Sequence, residues 1–360
     1  MATIILGDIV EVIKETVHNP QESGFQYFVG LEHYDSGEPL ITRYATPDNL
    51  TSSVKHFAKG DILVARRNVY LKRASLVDFE GVTSGDSIVL RAKDKKYQQI
   101  LPFILNSDDF WDYAEQNSDG TMSKRLSPAD LLDYEFEEPE NIELLADKLW
   151  AAYRVKESYK KLIAATDDML KAKFIEMFVG KTQTVPLYDV ADITTGSTPS
   201  RFNTEYWGGN NLWVSAQDMW SKYIWDTIEK VSESGYAKCK KIPAGSILYV
   251  CRGSIGLMAI NKRECATNQS ICTATCNEKC LSEYLYYYLE YSKEKTQKTG
   301  VGTSFKALNQ STFASIKIEL PPLPLQQQFV EIATQAEATK ESLRKSIENI
   351  DQVIKSLINQ

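Results

Sequence analysis

Two long stretches of the chain place apolar residues at steps of three and four with polar residues between them. In residues 141–178 these positions include Leu145, Leu149, Ala152, Tyr159, Leu162, Leu170 and Phe174. In residues 325–358 they include Phe329, Ile332, Ala336, Leu343, Ile347, Ile350, Ile354 and Leu357. This period predicts two amphipathic helices with one apolar stripe each. Neither interior holds Pro or Gly, while Pro324 stands at one start and Gly180 just past one end, the positions where each residue suits a helix terminus. At 1.5 Å per residue the helices would run roughly 50–57 Å. A single stripe on so long a helix needs a partner. Antiparallel pairing of the two would bury both stripes; the alternative is that each helix lies on a separate globular core.

The remaining chain alternates short strand-like runs, such as "GDILVA", "DSIVLRA" and "GSILYVC", with Gly, Pro, Asn and Ser. These runs repeat. "GTMSKRL" (120–126) and "GTSFKAL" (302–308) share four residues at an offset of 182, and Pro139 and Pro321 share that offset. "FAKGDILVARRN" (57–68) resembles "IPAGSILYVCRG" (242–253), and "SGDSIVL" (84–90) resembles "TNQSICT" (267–273). Order is kept and offsets drift by only a few residues, as unequal loops would cause, so the chain is a tandem of two similar units. The pattern divides it into a domain over 1–138, a helix over 139–180, a second domain over 181–320 and a second helix over 321–360. The fold class expected is α+β: two similar mixed α/β domains separated by two long antiparallel helices forming a coiled coil, with pseudo-two-fold repetition.

Composition narrows the class. Hydrophobic residues make up 43% and charged residues 25%, as in a globular protein. No apolar run approaches the ~18 residues of a membrane span, and the first residues lack a basic region followed by a cleavage site. All six cysteines lie between Cys239 and Cys280. A secreted disulfide framework would spread along the chain, so a reducing cytoplasm is expected. The spacing Cys272-x3-Cys276-x3-Cys280 is not that of a zinc site, and no metal is expected. Phosphate-loop, dinucleotide and zinc-protease motifs are absent, as is the Asn/Asp-Pro-Pro-aromatic loop of an adenine methylase. These absences point away from catalysis.

The formal net charge of −7 is unevenly spread. Residues 55–96 hold 10 basic and 5 acidic residues, while 97–138 hold 2 and 10. A local basic face can therefore exist on an acidic protein. Seven aromatics fall between Phe202 and Trp225 (Phe202, Tyr206, Trp207, Trp213, Trp220, Tyr223 and Trp225). Most of these are expected in the core, with one or two facing a partner.

"ITTGSTPSRFNTEYWGGNNLWVSAQDM" (193–219) resembles the opening of the target-recognition domain in DNA-specificity subunits of type I restriction–modification systems. "FAKGDILVARRNVYLKRASLVDFEGVTSGDSIVLRAKD" (57–94) and "LPPLPLQQQF" (320–329) resemble that family's strand pair and the entry to its helical spacer. The first unit departs from the pattern, lacking the Gly-x-Thr-Pro and Tyr-Trp-Gly-Gly steps, which implies that the two domains read different sequences. The resemblance implies a non-catalytic, DNA-binding phage-defence subunit that recognises a bipartite double-stranded target. It would hold two adenine methyltransferase subunits, with S-adenosylmethionine bound by those partners and no cofactor in this chain. Restriction (endonuclease and translocase) subunits would join them. The alternatives are a coiled-coil scaffold that binds protein only, and the specificity subunit of a type IIB-like system.

Candidate DNA contacts follow from chemistry. Arg66, Arg67, Tyr70, Lys72 and Arg73 form the densest basic run. Arginine grips guanine or phosphate with two donors, and lysine serves phosphate as a point charge; the other reading is a solvated loop. In the second unit the matching turn holds Arg252 and Ser254 around Gly253. The amides of Asn268 and Gln269, beside Thr267, suit adenine, and the domain opening adds Thr198 and Arg201. Thr303 and the glycine beside it suit backbone contact to phosphate or a plain tight turn.

If the helices pair antiparallel, their length sets the gap between the two half-sites. One helical turn adds about 5.4 Å, against about 3.4 Å per base pair. Inserting about four residues in register into both helices is expected to lengthen the unread gap by one or two base pairs while leaving both half-sites intact. Methylome sequencing of a strain carrying the double insertion measures this, and an unchanged gap would show that the helices are not the ruler.

Overall fold

The computed structural model describes residues 2–120, 123–293 and 308–359. The chain divides into two units, Met1–Lys161 with Leu343–Gln360, and Leu162–Ser342. In the first unit the central sheet runs Val10–Ile13, Ser87–Ala92, Ile62–Ala65, Ala74–Leu76, antiparallel throughout. The strand Ile62–Ala65 is buried at every position, which explains why it reads as an unbroken apolar run rather than an alternating one. A second small sheet orders Thr16–Val17, Val54–Phe57, Gly81–Thr83 and Phe28–Val29. The helix Lys95–Ile104, capped by the Asp94 carboxylate on the Lys96 amide, lays Ile100, Leu101 and Phe103 on the core.

The second unit repeats this plan. Its central sheet runs Ala191–Thr195, Ile271–Cys276, Ile247–Val250, Met258–Asn261, Tyr223–Ile224. A three-stranded sheet joins Trp207–Val214 to Lys230–Val231 and Cys265–Thr267. The repetition extends to single backbone hydrogen bonds. The Leu6 amide donates to Tyr134 O and the Leu187 amide to Ile316 O; Lys93 N donates to Ile9 O and Asn277 N to Val190 O, each at 2.9 Å. In each unit a short strand pair precedes a long helix: Thr3–Ile5 with Glu135–Glu137, and Thr184–Pro186 with Lys317–Glu319.

The long helices span Ile142–Phe178 and Leu323–Ile358. Within the first unit the start of one helix meets the end of the other: Ile142, Ala146, Leu149 and Tyr153 share a core with Ile354, Leu357 and Ile358. Within the second unit Leu170, Phe174 and Phe178 share a core with Phe329, Ala333 and Ala336. The helices are therefore antiparallel. Their stripes are buried jointly by the partner helix and by the adjoining domain, so neither expectation about burial is complete alone. Leu162, counted in the stripe from its spacing, is exposed. Charged contacts accompany the apolar ones. Lys156 bridges Glu38 (3.1 Å) and Asp351 (2.7 Å) in the first unit. In the second, Lys340 pairs with Asp167 and Glu337.

The aromatic cluster differs from expectation. Only Trp213 among the seven is buried; Phe202, Trp220 and Trp225 are exposed, and the others are half-buried. The three exposed rings, Phe202, Trp220 and Trp225, lie in turns and bends outside the strands. Among the described residues no helix is long and apolar enough to cross a membrane, and no group of three or more His, Cys, Asp or Glu side chains converges on a metal position.

His56 offers a pH test of the first unit. Its two ring nitrogens lie 2.9 Å from Glu15 and 2.9 Å from Glu80. Burial works to lower its pKa, but the hydrogen bonds and charges of the two carboxylates outweigh burial and raise it. A raised folded pKa gives stabilisation that is complete below the unfolded value and lost as pH rises through the folded value. Thermal melts from about pH 5.5 to 8.5 are expected to show His56→Gln costing up to about 1 kcal/mol at the acid end, and less at the alkaline end.

Candidate nucleic-acid interface

The basic run of the first unit occupies the connection between the strands Ile62–Ala65 and Ala74–Leu76. Two of its residues, Asn68 (φ 56°) and Lys72 (φ 48°), adopt left-handed backbone, which folds the connection tightly around the short turn Val69–Leu71. That turn sorts the side chains. Arg73 points inward: it is 9% exposed and donates to Leu31 O (2.9 Å) and Arg67 O (3.0 Å). It braces the loop rather than presenting a cation. Lys72 pairs with Asp108 at 2.9 Å, and Tyr70 is exposed.

Arg66 and Arg67 gather around Asp86. The Arg66 amide donates to Asp86 O (2.9 Å). Arg67 is 3.6 Å from the Asp86 carboxylate and donates to Ser123 Oγ (3.1 Å). Arg125 reaches the same carboxylate at 2.9 Å. Lys55 is also near, its pKa lowered first by burial and then by the Arg66 charge, with Asp86 opposing. Two arginines, Arg67 and Arg125, thus pair with one carboxylate, and Lys55 feels both that charge and the charge of Arg66. Lys55 and Arg125 were not legible as members of this cluster. The available signal for Arg125 was its place in the repeated heptapeptide, which the backbone bridge Arg67↔Arg125 brings to the loop.

In the second unit the structure brings most of the candidates to two adjacent turns. Gln269 accepts from Thr198 Oγ1, and Asn268 Oδ1 accepts from the Ser270 amide (2.8 Å), closing its own turn. Thr267 is fully buried. Gly196 lies so close to it that a Cβ there would sit 2.1 Å from Thr267 Oγ1; this threonine shapes the site from beneath. Arg252 and Ser254 are exposed beside Gly253 (φ +80°), a backbone conformation that suits glycine. Arg201 stands apart from these two turns in its bonding: it binds Glu229 with two donors and covers the Trp207 ring at 3.6 Å. Thr303 lies outside the described residues.

The two loops are held by one device. Cys251 N donates to Ser270 O (2.7 Å) as Arg66 N does to Asp86 O, and Leu308 N donates to Cys251 O (2.9 Å) as Leu126 N does to Arg66 O (2.9 Å). The shared leucine of the repeated heptapeptides thus locks the arginine-bearing loop of each unit, and both leucines are buried.

Fold and loops define a class: a tandem of α/β domains that present cations from equivalent loops and share a pair of antiparallel helices. Residues 180–352 match the family described as Type I restriction modification DNA specificity domain. The chain is 28% identical over 172 residues to the type I restriction enzyme MjaIX specificity subunit of Methanocaldococcus jannaschii, covering 46% of this chain and 40% of that protein. It therefore spans less than half the length of that relative. Two solved structures share the fold across 99% of the chain. One concerns complex assembly and conformational transition of the type I R-M system (TM-score 0.61, 18% identity, 96% of that chain). The other is the S subunit of a type I restriction–modification system from M. genitalium (TM-score 0.57, 14% identity, 94% of that chain). The type I restriction modification DNA specificity domain thus accounts for residues 180–352, most of the second half of the chain.

Asp86 restrains the cations around it. Asp86→Asn is expected to strengthen binding to polyanions by about 1 kcal/mol, the order of one screened charge at contact distance, and to delay elution from heparin. Earlier elution would show that Asp86 organises the cluster instead.

Proposed function

We propose that this chain recognises a bipartite double-stranded DNA sequence and holds the methyltransferase subunits of a type I restriction–modification complex, with no catalytic step of its own. S-adenosylmethionine would be bound by those partners, and restriction subunits would complete the nuclease. The observation that carries the reading is the repeated lock, which gives each unit an arginine-bearing loop at the same place in the fold. Two such loops with different side chains suit two different half-sites. Arg67, Arg125, Arg252 and the Thr198–Gln269 pair supply the kinds of donor and acceptor that phosphate and base edges require. The family match in the second unit and the fold shared by both support the same reading.

Arg66→Ala with Arg67→Ala tests it. DNA affinity is expected to fall and its salt dependence to flatten, by about one unit of slope for each phosphate that an arginine no longer neutralises. If one arginine reads guanine, discrimination at one half-site also falls by about 1–3 kcal/mol. A protein-only scaffold would show no DNA affinity to begin with, and unchanged affinity and slope would remove this loop from the interface.

A further inference from the structure

The second unit packs the space between its core helix and the strand that leads to the long helix with its own rings. On the helix Ser282–Tyr291, the Tyr284 hydroxyl donates to Glu319 O (2.6 Å) and the Tyr288 hydroxyl to Lys317 O (3.3 Å). Phe174 stacks on Tyr284 at 5.7 Å. In the first unit the equivalent strand is Glu135–Glu137. Buried Ile100, Leu101, Phe103 and Leu105 have the same spacing as buried Tyr284, Leu285, Tyr287 and Leu289. Ile100 and Ile104 therefore stand where the second unit has Tyr284 and Tyr288. An isoleucine is too short to reach the strand, and a cleft of about 540 Å³ remains between them. Its floor is apolar at Ile100, Ile104, Phe136, Leu145 and Ile358, so a partner's apolar side chain seated there would be removed from water.

Its rim selects the occupant. Asp109, Glu135 and Glu137 line the cleft and are exposed, and none has a cation within ion-pair distance among the described residues. Asp112 and Asp133 are exposed on the same elements. Burial raises the pKa of the Tyr113 and Tyr134 hydroxyls at the cleft; Asp133, Asp130 and Glu135 raise that of Tyr113 further, while at Tyr134 a Ser107 hydrogen bond opposes the rise and Asp109 adds to it. The position corresponding to Glu135 in the second unit is Lys317, while Glu137 corresponds to Glu319, so the strand side of the rim is more acidic in the first unit. Such a rim repels phosphate and anionic lipid, and attracts lysine and arginine.

We propose that this cleft is a docking site for a basic amphipathic segment of a partner protein. An apolar side chain would seat against Ile104, Phe136 and Leu145, with flanking lysine or arginine on Asp109, Glu135 and Glu137. The site lies outside the arginine-bearing loops and does not depend on DNA recognition.

The test uses the full chain without DNA and a fluorescent peptide of about 14 residues, with leucines at helical spacing and lysines elsewhere. Saturable binding is expected, and it should weaken about tenfold or more when Ile104→Tyr fills the cleft as the second unit does, the factor set by the absence of one leucine-sized anchor. Glu135→Lys with Glu137→Lys should weaken it comparably. A peptide with serine for leucine, assayed on the unaltered chain, should also bind about tenfold more weakly, a readout that does not depend on how any variant folds. Absence of saturable binding overturns the proposal. So does binding that responds to the charge reversals but is indifferent to the serine peptide, which would show general attraction to an acidic surface.

Discussion

Burial of each long helix at both of its ends, against a domain core as well as against the other helix, is the constraint on which the architecture rests. Isolated helices in water are marginal, and most helical stability in proteins comes from packing an apolar face. The second unit meets this need with Phe174 and Phe178 set against Phe329 and Tyr284 at ring separations of 5.1 to 5.7 Å. The first does so with Leu149, Tyr153 and Trp150, whose indole donates to Gln99 O at 2.8 Å. Each buried side chain of this size contributes about 1.5–3 kcal/mol. The helices thereby become part of the domain cores.

Repetition of the backbone coexists with divergence of the surface. The amide of Leu126 or Leu308 closes on the residue that follows a core strand, and that carbonyl belongs to Arg66 in one unit and Cys251 in the other. Main-chain hydrogen bonds do not depend on side-chain identity, so the loop can change its chemistry while its path is preserved. The same holds at Glu135 and Lys317, where equivalent edge strands carry opposite charges. The domains are alike in their main-chain hydrogen bonds and unlike in side-chain charge at equivalent positions such as Glu135 and Lys317.

An acidic chain presents cations by grouping them. Arg67 and Arg125 pair with Asp86, and Lys55 lies within reach of its charge, although residues 1–138 are acidic in sum. The carboxylates collect instead along 97–138, around the cleft at Glu135–Glu137. Charged surfaces act locally because salt screens exposed charges beyond about 8–10 Å. Different faces of one unit can therefore suit partners of opposite charge.

The sequence by itself determined the two long helices, the tandem repeat and the α+β class, because period and duplication are properties of residue order. It also marked the glycine turn at Gly253 and the basic run from Arg66 to Arg73. It did not determine which members of that run face solvent. Arg73 and Arg67 are equally basic in sequence, yet a loop with two left-handed residues turns one inward onto carbonyls and the other outward. Thr267 is buried and nearby Gln269 exposed for the same kind of reason, since neighbours on a turn point in different directions. Nor did sequence place Arg125 beside Arg67, 58 positions earlier in the chain, or show that Phe202 and Trp220 lie outside the core. Hydrophobicity states what a side chain prefers. Only the tertiary structure decides whether another layer is there to cover it.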